Sequence, residues 1–478
     1  MRRYLPAGAL LLAYLLIGLL YALYTPPWQV PDEPAHYNYI RALAEGRGFP
    51  VMEPGDYDQD YLGRLTAERF PPHLPVDVVE YEDHQPPLYY LLATPFFWVF
   101  DGAMLSLRLF SLALSAVGVL LIALLTRELC PAHPRLAWLS AGLVAFNPQF
   151  VALMTGVNND ALTLALLWLW VWLAVRYLRG ATSPWLLSLV LGALLVTKST
   201  GYAAVPLTAV VLYWRGRRET WSWQQLLREA VRLGGPALLL GALWWGRNAA
   251  VYGWPDVMGL QRHDEVVVGQ PRTADWIARD GLWPFLAGAA QTTFRSFWGQ
   301  FGWMGVVLDA RLYDALGLLS LLLVWGTLAH LLTTWRACTR HQREGALLLG
   351  ALAGLAVGLY LYYNLGFVQH QGRYLFTALP VLGVGGAAGL RTLARRELAW
   401  GTAAALAVSG GLLALVGLLR GDLPLWSLAL IGATAGALAM TGWLPDKHKV
   451  LAGTALLAAL ALLDVVCLFG FIVPQLRF

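Results

Sequence analysis

Charge is scarce in this chain. Asp, Glu, Lys and Arg make up 13% of its 478 residues against 58% hydrophobic, and mean hydropathy is +0.55; a soluble domain carries about 25% charged residues. That shortage excludes a soluble globular protein. The apolar runs are unbroken and far too long for the ten-residue alternation of a β-barrel, which leaves an all-α polytopic membrane protein with the lipid bilayer as its first partner. Cysteine is nearly absent too: Cys130, Cys338 and Cys467 are too few and too scattered for a disulfide framework or a Cys-based metal site. No internal repeat is evident, and nothing in the composition points to nucleic acid. The apolar run Leu5–Tyr24 follows Arg2-Arg3 and lacks a small-x-small cleavage site before Thr25-Pro26-Pro27, so it reads as an uncleaved first span.

The topology turns on one short segment. Pro86 to Phe100 is apolar, contains Pro95 and falls short of the about twenty residues that a crossing helix needs; it is expected to dip into the outer leaflet and return. Spans then fall at about 5–24, 104–126, 136–156, 161–178, 184–200, 202–214, 233–252, 312–335, 345–364, 374–390, 398–419, 424–443 and 450–473, thirteen in all. With the N-terminus in the cytoplasm, the inner turns collect Arg2, Arg3, Arg127, Arg135, Arg176, Arg179, Arg215, Arg217, Arg218, Arg228, Arg232, Arg336, Arg340, Arg343, Arg391, Arg395, Arg396, Lys447 and Lys449. Only Glu128, Glu219, Glu229, Glu344, Glu397 and Asp446 share that side, as the positive-inside rule requires. Counting 86–100 as a span would turn those clusters outward. Two large segments, 25–103 and 253–311, then face outside the cytoplasmic membrane. The expected units are 1–215 with its outer loop, 216–397 with the second outer segment, and 398–478, whose Ala/Leu/Gly-rich helices have a packing role.

In the first outer segment Asp32 stands where it can cap a helix running to about Glu45 and stopping at Gly46, with Pro34 in its first turn. Tyr37, Ile40 and Ala44 share one face of it, as on a helix lying on the membrane surface. The stretch from Glu53 to Glu82 reads as ordered loop or short helix, and Asp56, Asp58 and Asp60 as solvated loop. The aromatic run Phe294, Phe297, Trp298, Phe301 and Trp303 fits a second surface helix anchored in the interface, and could also face a sugar or prenyl chain.

Ionisable residues from distant parts of the chain converge on the outer side. The first loop supplies Asp32, Glu33, His36, Asp83 and His84, and the 157–160 turn supplies Asn158, Asn159 and Asp160. Later segments add Lys198, Arg247, His370 and Arg373. A charge at the centre of a span costs about 2.5–3.5 kcal/mol, so a set held near the interface calls for a reason. Carboxylates among cations suit an anionic headgroup with a base beside it. Transfer of a sugar from a lipid phosphate to a hydroxyl needs those parts: a base for the acceptor proton, and cations for a phosphate that leaves without acid help. Asp32 is the candidate base and Glu33 its rival. Lys198, Arg247 and Arg373 are candidate phosphate ligands, Arg by a two-point grip, and His36, Asp83, Tyr89, Asn159 and His370 are candidate pocket residues.

The same residues carry a resemblance. An acid just after the first span, the run Pro86-Pro87-Leu88-Tyr89-Tyr90, Arg108-Leu109 at the head of the next span, Asp160 at the fourth, and Thr197-Lys198 are together similar to GT-C glycosyltransferases, notably the protein O-mannosyltransferases and the lipid A aminoarabinose transferase. Residues 1–215 bear it best, and Gln371-Gly372-Arg373-Tyr374-Leu375-Phe376 resembles a run in bacterial membrane proteins thought to share that fold. The resemblance implies a GT-C fold, Asp32 as catalytic base, Asp160 as the second acid shaping the site, a polyprenyl-phosphate sugar donor and an acceptor hydroxyl on protein, lipid or glycan. Relatives often have Lys directly before the Pro-Pro; here Asp83-His84-Gln85 precedes it, which leaves that phosphate contact to His84.

Plainer readings stand beside these. Asp32 and Asp160 are also helix caps, Arg247 can snorkel beside Trp244 and Trp245, and a lone His370 is more often structural. Asp32, His36 and Asp160, with Asp83 and His84, could form an oxygen and nitrogen shell for Mg²⁺ or Mn²⁺ rather than Zn²⁺. The rival of another class is a transporter or flippase of a lipid-linked sugar, which would show paired halves and polar groups at mid-membrane.

Overall fold

The computed structural model describes residues 5–477; Arg2 and Arg3 lie outside the described residues, as do the side chains of Asp446 and Lys447. The molecule is helical throughout, with one antiparallel hairpin pairing Gln300 with Val307 and Phe301 with Val306. Helical segments occupy the positions of the thirteen expected spans. Among the described residues eight helices are long and apolar enough to cross a membrane, and a ninth span arises if Leu136–Ala145 and Pro148–Met154, bent by 68° at Phe146-Asn147, count as one. The full count of thirteen is therefore not reached on length and hydropathy. Pro184–Leu195 and Ala204–Arg218 fall short by size or by the Arg residues ending them, and Trp223–Tyr252 begins with a charged amphipathic stretch.

The segment 86–100 forms a helix, Leu88–Val99, of 12 residues with Pro95 inside it, too short to span. Its first turn is tied to the head of the Lys198 segment, because the Leu88 amide donates to the Val196 carbonyl at 2.9 Å. The other side of Leu88–Val99 meets the helix Glu33–Ala44, where Tyr39 and Tyr90 stack with ring centroids 3.7 Å apart. Glu33–Ala44 is accordingly not a surface helix: Ile40 is buried, and so are His36 and Tyr39. It ends as expected, with Gly46 at φ 74°.

The segment 253–311 forms the helices Leu260–Val266, Thr273–Asp280 and Leu282–Trp298 before the hairpin. Its aromatic run is core rather than membrane anchor. Trp298 and Phe301 are buried, Trp298 Nε1 donates to Ser320 Oγ at 3.0 Å, and Phe297 packs on Phe376. That packing brings the 372–378 turn against Leu282–Trp298 so closely that a Cβ on Gly372 would lie 2.3 Å from the Phe297 amide nitrogen. Further on, Arg396–Arg420 and Leu425–Trp443 pack on one another and leave most of their apolar surface uncovered. The last helix, Asp446–Val466, continues through a π-helical stretch Cys467–Ile472 and packs on the first, where Tyr21 donates to the Asp464 carbonyl.

Candidate active site

The chain directly after the first span is folded around a buried ion pair. Glu33 has no exposed surface and receives Arg108 twice, Nε at 2.8 Å and Nη2 at 2.7 Å, together with the Trp28 amide at 3.0 Å and the Val157 amide at 3.1 Å. Arg108 spends its remaining donors on the carbonyls of Ala22, Thr25 and Pro26. A carboxylate so surrounded has no lone pair for a substrate proton. Glu33 is thus a structural hub locking the end of the first span, the 157–160 turn and the span head at Arg108 together, and is not the rival base.

Asp32 points elsewhere. Its backbone is left-handed, φ 67° and ψ −3°, a conformation that Asp and Asn tolerate better than other residues, and its side chain makes no capping bond to the helix it precedes. Instead Oδ1 accepts the Tyr81 hydroxyl at 2.7 Å and Oδ2 lies 2.7 Å from Arg373 Nη1. Arg373 enters from the 372–378 turn, and its Nε and Nη1 are buried without an aligned hydrogen-bond acceptor. Nη1 is thus taken up by the Asp32 charge, and Nε is left for another anion. Burial works against ionisation of Asp32, and Arg373 outweighs it, holding the carboxyl below the usual carboxylate range.

A second carboxylate–cation pair faces the first. Lys198, in extended backbone between two helical segments, places Nζ 2.6 Å from Asp160 Oδ1. Asp160 begins its helix with its amide held by Asn158 Oδ1 at 2.8 Å, so the capping falls to Asn158 and the Asp160 carboxylate stays free for Lys198. Between the pairs sits His36, fully buried and in the field of Lys198, Asp32, Asp160 and Arg373. Burial, then Lys198, pushes its imidazole down to about 3, so it is neutral. Its Nδ1 lies 2.9 Å from the Tyr90 hydroxyl, and its Nε2 has no partner. Asn159 Nδ2 donates to the same Tyr90 hydroxyl at 3.3 Å, and its buried Oδ1 is unpartnered.

Glu82 completes the group, and the sequence reading passed it over. Its Oε2 is buried and unpartnered, and the ligand atoms of Asp32, His36 and Glu82 lie within 4.8 Å of one another, the one such set among the described residues. Burial and the Asp32 charge raise the Glu82 carboxyl. This trio replaces the set with Asp160, which Lys198 occupies. Asp83 is buried beside it with Oδ1 unpartnered, its carboxyl raised to about 9 by burial and by Glu80, Asp56 and Glu82.

Four expected residues sit apart from this cluster. The Arg247 guanidinium donates to the carbonyls of Phe49 and Pro50 and lies over Trp244 and Tyr252, so it braces the loop that follows the first span. His84 is buried and neutral, Nδ1 against the Tyr81 carbonyl and Nε2 against Gln85, its ring 4.6 Å from that of His263. His370 packs on Phe285 at 5.0 Å. Tyr89 shapes the turn, its hydroxyl bonded to Ser111 Oγ and to the Asn158 amide.

Residues 84–245 match the family model described as dolichyl-phosphate-mannose-protein mannosyltransferase, a stretch that includes Asp160 and Lys198 but neither Asp32 nor Arg373. No curated protein matches the chain. Among solved structures it is similar to ArnT from Cupriavidus metallidurans bound to undecaprenyl phosphate, with 14% identity and a TM-score of 0.47 over 98% of this chain and 73% of that one. The Archaeoglobus fulgidus oligosaccharyltransferase tethered with an acceptor peptide gives 14% identity and 0.44, over 93% of this chain and 56% of that one. Over residues 84–245 the chain resembles the protein O-mannosyltransferases of the GT-C superfamily of integral membrane glycosyltransferases.

Proposed function

We propose that the chain moves a sugar from a polyprenyl-phosphate carrier to an acceptor hydroxyl on the outer face of the cytoplasmic membrane, with inversion, and that Asp32 is the general base. The observation that carries this reading is the meeting of two carboxylate–cation pairs, Asp32–Arg373 and Asp160–Lys198, around a buried neutral imidazole. Four remote stretches of chain supply them, and the buried Arg373 Nε lacks a hydrogen-bond acceptor.

The chemistry follows from those pairs. An arriving lipid phosphate competes for Arg373 and Lys198, charge-assisted partners that a dianionic or diester oxygen satisfies better than one carboxylate each. Asp32, deprived of Arg373, becomes a stronger base while staying ionised. The acceptor oxygen then attacks the anomeric carbon opposite the phosphate as its proton passes to Asp32. The bond from that carbon to the phosphate oxygen breaks with its electron pair, and Arg373 and Lys198 stabilise the departing polyprenyl phosphate. Asp32, His36 and Glu82 form an oxygen and nitrogen set that fits Mg²⁺ or Mn²⁺, and a cation held there would add positive charge beside the phosphate. The proposed orientation follows from the positive inner turns.

The test is transfer from a polyprenyl-phosphate sugar by Asp32→Asn in nanodiscs. Asn tolerates the left-handed backbone and keeps an oxygen for Tyr81, so the variant folds, with a melting temperature lowered by loss of the Arg373 pair, and turnover falls by about 10²–10⁴-fold, the range for loss of a general base. Full activity removes Asp32 from the mechanism. Counterflow of a labelled lipid-linked sugar without covalent product supports a flippase instead.

A further inference from the structure

Beside the buried pairs lies an open cleft that nothing above uses. It holds about 500 Å³ between residues 55–62 and 74–81, within the range of about 300–1,000 Å³ for small-molecule sites. Asp56, Tyr57, Asp58, Tyr61, Val78 and Tyr81 line it. Its inner wall is Tyr81, whose hydroxyl donates to Asp32 Oδ1 at 2.7 Å and whose ring meets that of Tyr57 edge to face at 5.6 Å. The cleft floor is therefore one hydrogen bond from the base.

The lining has a definite chemistry. Three tyrosine rings in one small cleft offer flat apolar faces, the surface on which the C–H face of a sugar ring packs. Tyr61 donates its hydroxyl proton to the Pro75 carbonyl at 2.7 Å, so the oxygen is left as an acceptor. Asp58 Oδ1 caps the following helix by taking the amides of Asp60 and Tyr61, each at 2.9 Å, which leaves Oδ2 for a ligand hydroxyl. Asp56 Oδ2 accepts the Glu53 amide, and its Oδ1 is in the same position. No Lys or Arg lines the cleft. Acceptors without donors in return, phosphates above all, meet only like charge there.

We infer that this cleft receives the acceptor, and that the acceptor is the neutral, hydroxyl-rich end of a glycan. This deepens the glycosyltransferase reading and rests on it: the hydroxyl nearest Tyr81 is the one whose proton passes to Asp32. A serine or threonine side chain on a peptide would present a hydroxyl but no ring for the three tyrosines.

Binding and transfer are measured separately so that the two readings fail separately. Saturation-transfer NMR is recorded on the full chain in nanodiscs, free of glycosidic detergent, with maltose, cellobiose, lactose, glucose 6-phosphate and a serine-containing peptide as probes. At least one neutral disaccharide is expected to bind and glucose 6-phosphate is not. Val78→Trp, at an exposed rim position that fills the cleft without removing a buried contact, is expected to weaken that binding by at least about tenfold, as is Tyr61→Leu, while Tyr61→Phe keeps it within about threefold. Binding of no neutral sugar, binding indifferent to Val78→Trp, or peptide or phosphosugar binding that Val78→Trp removes would each overturn the inference. Sugar binding with these dependences but no transfer from a polyprenyl-phosphate donor would leave the cleft as a glycan site and defeat the enzymatic reading alone.

Discussion

At the residue scale, burial separates the two adjacent acids Asp32 and Glu33. Glu33 is enclosed with Arg108, and removing one partner of a fully buried pair leaves an uncompensated charge, a loss of about 3–5 kcal/mol. Arg108→Met is therefore expected to lower the melting temperature sharply and to abolish activity through misfolding, whereas Asp32→Asn, at a carboxylate less enclosed than Glu33, lowers it less and leaves the chain folded; equal stability of both variants would contradict the division of roles. The acids that follow Tyr81 set the pH response. Asp83, raised to about 9, holds its proton in the folded chain well above the ordinary carboxylate range. A group whose folded value is raised contributes stability below its unfolded value and loses it as pH climbs through the folded one. Melting temperature should thus fall between about pH 4 and pH 9, and Asp83→Asn should flatten that slope; an unchanged slope in the variant would contradict the assignment. Asp32, held low by Arg373, has the opposite sign, its contribution being lost only in strong acid. The cost of charge in apolar surroundings is what made Lys198, Asp160 and Arg373 legible in the sequence. Glu82 escaped notice because it belongs to an acid-rich loop where carboxylates look solvated, and its burial depends on contacts far away in sequence. Arg247 and His84 could not be told from phosphate ligands by sequence, since a carbonyl partner leaves no mark on residue type.

At the scale of elements, the site depends on short irregular pieces fastened to regular ones. Lys198 sits on an extended break tied to Leu88–Val99, and Arg373 on a turn pressed against Leu282–Trp298. At Gly372 the amide donates to Ser296 Oγ at 2.8 Å, and a Cβ would strike the Phe297 backbone, which cannot yield as a side chain can. Gly372→Ala is expected to cost about 1–3 kcal/mol of stability and to displace Arg373, so lipid-phosphate binding falls along with the melting temperature; wild-type binding in Gly372→Ala would show that the turn is not needed to aim Arg373. The same irregularity limited the sequence reading. Apolar length and Pro95 were enough to mark 86–100 as a short helix, and Leu88–Val99 has 12 residues. The bend at Phe146-Asn147 and the burial of Trp298 and Phe301 were hidden, since an aromatic run looks alike whether it faces lipid or a neighbouring helix.

At the scale of the whole molecule, the proposed orientation rests on the arginine clusters and the positive-inside rule. Single cysteines placed in a background lacking Cys130, Cys338 and Cys467 test it with a membrane-impermeant maleimide on intact cells. Val78→Cys is expected to label from outside and Arg217→Cys only after permeabilisation; the reverse pattern would turn the site toward the cytoplasm and remove the outward-facing reading. The central claim is that one pocket joins a proton acceptor to a phosphate grip, and undecaprenyl phosphate reports on it directly. A structure of the full chain with this lipid bound is expected to place the phosphate within hydrogen-bond distance of Arg373 and Lys198, with Asp32 released from Arg373 and facing the space beside it. A phosphate held elsewhere, with both carboxylate–cation pairs intact, would contradict it.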